Sequence, residues 1–105
     1  MEIELFTRNG ENLINQIFSV EKEKVETWVI REANGKKYLT HKPEQWKDKA
    51  LFGLSHDDEK VIIKLMRWDN KVEPNEDIKG YYMGRFTELL LVNFKDKFDK
   101  FEIIK

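Results

Sequence analysis

The sequence predicts an α+β domain of order β-α-β-β-β-β-α-β, a mainly antiparallel sheet with two helices packed on one face. Three observations carry this. Four strand-like segments follow one another between residues 25 and 68 with short turn signals between them, and tight turns join antiparallel neighbours. Two segments, near 10–20 and 78–95, instead repeat their apolar residues at helical spacing. With 105 residues the chain is a single domain over 1–105, large enough to bury a core and too small for two.

Residues 2–7 alternate, with Ile3 and Leu5 on one face, and read as the first strand. In residues 9–20, Leu13, Ile14, Ile17, Phe18 and Val20 share one arc of a helical wheel while polar residues fill the other. Asn9 is placed to cap that helix. Asn9-Gly10 also suits a hairpin, but the paired spacing at 13/14 and 17/18 favours helix. The Glu21-Lys22-Glu23-Lys24 run reads as a solvated helix end and loop. Segments 25–32 and 36–41 flank Asn34-Gly35, a pair that accepts the positive φ angles of a two-residue hairpin turn. Segments 49–55 and 60–68 form a second hairpin across His56-Asp57-Asp58-Glu59. Pro74 and Asn75-Glu76-Asp77 announce a helix from about 78 to 95, and 101–105 is a last short strand.

On the second helix, Tyr82, Met83, Phe86, Leu89, Leu90 and Phe94 cover one arc, the core face. Arg85 and Glu88 lie opposite it, three residues apart, as an exposed ion pair would. Gly80, Gly84, Thr87 and Leu91 form a third stripe. Glycine inside a helix costs about 1 kcal/mol against alanine. Close approach of another backbone, the first helix or a loop, is the expected compensation.

Composition narrows the function classes. Apolar residues make up 40% and charged ones 37%, as in a folded, soluble protein. Nineteen basic against twenty acidic residues give a net charge of −1, which argues against general nucleic-acid binding. The absence of cysteine removes disulfides, thiolate metal sites and cysteine nucleophiles. The start is acidic and alternating rather than signal-like, and the longest apolar run, 89–92, is far short of a membrane span. A soluble, cytoplasmic protein that binds neither membrane nor nucleic acid is expected.

The segment Thr40-His41-Lys42-Pro43-Glu44-Gln45-Trp46, with Gly80-Tyr81-Tyr82-Met83-Gly84-Arg85-Phe86 further on, resembles a family of small uncharacterised bacterial proteins. That pattern pairs a Thr-His-x-Pro-x-Gln-Trp segment with a later His-Gly-Arg-Phe helix, and the likeness spans most of the chain. Met83 stands where the pattern has histidine. Any chemistry that histidine supplies is therefore missing here.

Catalytic signatures are few. His56 with Asp57, Asp58 and Glu59 offers oxygen ligands to a hard cation. The tetrapeptide lacks the glycine-bearing loop pattern of calcium sites, and Asp is what turns select, so no metal and no cofactor is expected. His41 ends a strand five residues before Trp46, where a general base would need a substrate or nucleophile that the sequence does not name. Phosphate loops, nucleophile elbows and dinucleotide fingerprints are absent.

The strand 60–68 is apolar on both sides: Val61, Ile63 and Leu65 on one, Ile62, Met66 and Trp68 on the other. A one-sided sheet should be polar outside. Here the outer face is expected to carry Ile62, Met66 and Trp68, joined by Trp28 and Ile30. Either loop 42–48 covers that patch or it meets a partner. The expected function is a binding or interaction module without catalytic activity, with a protein partner or a second copy on that face. The alternative is a small enzyme or ligand-binding protein with a cleft near residues 40–48 and 81–88, lined by His41, Trp46, Arg85 and Glu88. Base stacking on the three tryptophans would need a positive groove, and the acidic residues are scattered among the lysines.

Overall fold

The structure, a computed structural model, describes residues 1–19, 28–41, 49–67 and 75–105. The expectations placed on Glu21 to Lys24, on Pro43 and Trp46, on Trp68 and on Pro74 lie outside the described residues. The chain runs β1 (Glu2–Phe6), α1 (Gly10–Phe18), β2 (Trp28–Ala33), β3 (Lys36–His41), β4 (Leu51–His56), β5 (Lys60–Met66), α2 (Glu76–Asn93) and β6 (Lys100–Ile104), the predicted order. The strands form one antiparallel sheet in the order β2-β3-β4-β5-β1-β6. Although first in sequence, β1 is an interior strand, with Ile3 opposite Ile63 on one side and Ile103 on the other.

Turn chemistry sets the first hairpin. Asn34 and Gly35 take φ of 52° and 77°, both left-handed, so the turn twists with its strands. The pairing Ala33 with Lys36 then runs down to Ile30 with Leu39 and Trp28 with His41. Directly opposed residues share a face. Leu39, Phe52, Ile63, Val61, Ile3 and Leu5 occupy that face and are fully buried. Leu13 and Ile17 of α1 join the same cluster, as do Tyr82, Met83, Phe86, Leu89 and Leu90 of α2. Every position assigned to the core face of α2 is buried. No helix among the described residues is long and apolar enough to cross a membrane.

Asn75 starts α2: its side chain accepts a hydrogen bond from the Ile78 N–H at 2.9 Å. Glu76 and Asp77 therefore lie inside the first turn, where negative charge suits the helix dipole, and α2 begins two residues before the predicted start. Asn9 occupies the equivalent position before α1, yet its side chain makes no capping bond. Its own N–H instead donates to Thr7 Oγ1 at 3.2 Å.

Two expectations are corrected. Trp28 and Ile30 lie on the core face, because the two-residue turn fixes them opposite His41 and Leu39. Trp28 is only 2% exposed, its ring packed against those of Phe52, Tyr82 and Phe86. The glycine stripe of α2 faces open space: a Cβ built on Gly80 or Gly84 meets nothing within 4 Å. Close packing occurs at a different glycine. A Cβ on Gly10 would fall 2.7 Å from the Cβ of His56, so it is α1 against β4 that needs a bare backbone.

Candidate functional site

The sheet opens where β3 and β4 part, with Lys36, Tyr38, Gly53, Lys64 and Met66 on the outer face and Lys37, Leu54 and Phe18 on the core side of the opening. Only Tyr38 with Gly53 and Leu39 with Phe52 are paired between these strands. A groove of about 350 Å³ lies at the opening. Its apolar lining is Tyr38, Met66 and, from α1, Phe18, with Gly53 beneath the first two. A Cβ on Gly53 would fall 2.9 Å from Met66 Sδ and 3.3 Å from Tyr38 Cε1, so both side chains lie across its bare backbone. Met66 is 38% exposed.

Lys36, Lys37 and Lys64 rim the groove, and among the described residues no carboxylate lines it. Among the described residues these lysines make no ion pair. Glu2 and Glu32 stand opposite Lys64 and Lys37 one strand away. The rest of the outer face neutralises itself. Lys60 donates to Glu4 at 2.9 Å, and that bond raises the lysine's pKa. Lys60 and Lys100 sit 5.6 Å and 5.3 Å from the centre of the Phe6 ring, and Lys100 meets Glu102 at 2.7 Å.

A second cluster lies on the core side. The His41 ring centre is 4.7 Å from that of Trp28 and 5.1 Å from that of Tyr81. The Arg85 guanidinium stands 5.4 Å from the centre of Tyr81's ring and pairs with Glu88 at 3.7 Å. His41 and Arg85 are thus on the same side of the sheet, bridged by Tyr81. Burial, with Arg85 as the smaller cause, pushes the His41 pKa below its usual 6.5. His41 Nδ1 is buried without a hydrogen-bond partner. Met83, at the histidine position of the resembled pattern, is buried at 5% exposure and faces the core.

At the second hairpin Asp57 uses its carboxylate on the turn itself. Oδ1 accepts from the N–H groups of Glu59 at 2.8 Å and Lys60 at 2.9 Å, and the Glu59 bond leads in holding its pKa down. No group of three or more His, Cys, Asp or Glu that could hold a metal ion occurs among the described residues.

Of the expected site residues, Met66 lines the groove, Trp28 is in the core, and His41, Arg85 and Glu88 gather beside α2. Trp46 and Trp68 lie outside the described residues. Sequence reasoning missed Tyr38, Gly53 and the three lysines. The signal was a lone glycine inside a strand, a mark of close approach by a side chain, backbone or ligand. No known protein family, curated protein or solved structure matches this chain.

Proposed function

We propose that the protein is a binding module, without chemistry of its own, that works through the outer face of β3, β4 and β5. One observation carries the reading: Met66, partly exposed, and Tyr38 flank an open groove on a face that a one-sided sheet keeps polar. The partner is a second copy of the chain or another protein. Light scattering over a concentration series, with affinity capture from the native cell, tests this when wild type and Met66→Glu are run side by side. The substitution is expected to abolish either self-association or capture of one partner. A wild type that stays monomeric and retains nothing the variant loses removes the reading.

A second reading, an enzyme or ligand-binding protein built on His41, Arg85 and Glu88, draws on the unpartnered Nδ1 of His41 beside an arginine. At 2% exposure that ring is poorly placed to reach a substrate. Diethyl pyrocarbonate should label exposed His56 in the native protein and spare His41. Native-state labelling of His41 would favour the second reading.

A further inference from the structure

We infer that the groove over Gly53 binds a small organic anion with an apolar body, such as an aromatic or medium-chain carboxylate. The inference rests on the outer face being the working surface, and it adds to the protein partner a small ligand held in the groove on that face.

Size comes first. A groove of about 350 Å³ lies at the low end of small-molecule sites, enough for one ring or a short chain. Its floor is apolar: with no side chain at Gly53, Met66 and Tyr38 lie across the backbone there and form the surface of the groove. A side chain at position 53 would push Met66 and Tyr38 out of that arrangement.

Main-chain geometry adds polar groups. The two-residue turn makes Ala33 and Lys36 a hydrogen-bonded pair, so Tyr38 bonds toward β2 and Leu39 toward β4. Two residues beyond the Leu39–Phe52 pair come Lys37 and Leu54, whose main-chain groups turn toward the same gap. The Tyr38–Gly53 bridge already uses the Leu54 N–H and the Lys37 carbonyl; the ladder stops there, which leaves the Lys37 N–H and the Leu54 carbonyl at the groove that both residues line. An N–H at the opening is a donor suited to a carboxylate.

Charge selects the sign. Lys36, Lys37 and Lys64 surround the apolar floor without an ion pair among the described residues, in a chain whose net charge is −1. The same sheet ties its other outer lysines, Lys60 and Lys100, to carboxylates. Lysines without a direct ion pair beside an apolar groove, with their nearest glutamates one strand away, are complementary to an apolar anion. A fully polar anion would gain nothing from Tyr38 and Met66, and a neutral apolar one nothing from the lysines.

The test uses 1-anilinonaphthalene-8-sulfonate, an apolar fluorescent anion, titrated into the folded full chain at neutral pH and low salt. Saturable one-site enhancement is expected, displaced by octanoate or 3-phenylpropionate at least tenfold more effectively than by 1-octanol or 3-phenylpropanol. Lys36→Glu/Lys64→Glu should weaken the dye at least tenfold. Lys95→Glu/Lys105→Glu, an equal charge change on exposed lysines outside the groove, should leave it unchanged. Near-ultraviolet circular dichroism identical to wild type shows that the dye reports the native site and not a loosened core. No saturable binding, equal displacement by the alcohols, or equal weakening by both charge pairs overturns the inference. If Met66→Glu still abolishes partner capture in that case, the interaction face stands and only its anion chemistry falls.

Discussion

Tyr82 on α2 places its hydroxyl 3.1 Å from Oγ1 of Thr40 on β3, within the buried core. Thr40 already donates to the Ala50 carbonyl at 2.8 Å, so Tyr82 is the donor of the pair. One threonine thus ties α2 to β3 and to the residue just before β4. Tyr82→Phe removes the bond to Thr40 and should cost about 0.5–1.5 kcal/mol. Thr40→Val leaves the Ala50 carbonyl without its buried donor and should cost more, about 1–3 kcal/mol. Urea unfolding of both variants and the double mutant measures the order and the coupling. The reverse order would mean the carbonyl finds another donor.

Gly84→Ala should raise stability by up to about 1 kcal/mol, because helix propensity improves and the new methyl meets nothing. Gly10→Ala should lower it by about 1–3 kcal/mol, since its Cβ would collide with that of His56. Thermal melts of the two variants, run together, give opposite signs if the helix contacts are as described.

Stability should fall on mild acidification through His41. Its folded pKa lies below 6.5, lowered by burial and then by Arg85, so the unfolded chain takes up the proton first. Stability is therefore full above the unfolded pKa and declines as pH drops from there to the folded value. His41→Phe keeps a ring against Trp28 and Tyr81 and should flatten this slope. Asp57 acts in a lower window: its depressed pKa stabilises the fold above 3.8, and that contribution disappears as pH falls through the folded value. Urea midpoints at a series of pH values, wild type against His41→Phe, separate the two. An unchanged slope as pH falls below 6.5 would rule out the His41 assignment.

Arg85→Ala should change stability by less than about 0.5 kcal/mol in a thermal melt, because its pair with Glu88 is exposed on both sides. A larger loss would assign the weight to its stacking on Tyr81, where exposed cation–π contacts contribute about 0.5–1 kcal/mol.

Local pattern determined the elements. Alternation at Ile3 and Leu5, helical spacing at Tyr82, Phe86 and Leu89, and the Asn34-Gly35 pair each act within a few residues, and all were legible before the fold was seen. The exposed Arg85–Glu88 pair was legible for the same reason, since both residues stand on one helix. Even the inward face of Trp28 was within reach, because a two-residue turn fixes the register down to His41.

What the sequence could not reach is what depends on which elements become neighbours. Nothing in residues 2–6 says that β1 inserts between β5 and β6, since apolar periodicity marks a buried face but not a partner. The glycines show the same limit. Gly84 and Gly10 are alike as letters, yet only Gly10 lies under another element, where α1 crosses His56. The groove is wholly tertiary: Tyr38 and Met66 arrive from the strands on either side and lie over Gly53, and β3 and β4 part beyond them. A missing side chain becomes a seat for its neighbours, and lysines become a rim, only when separate strands bring them together.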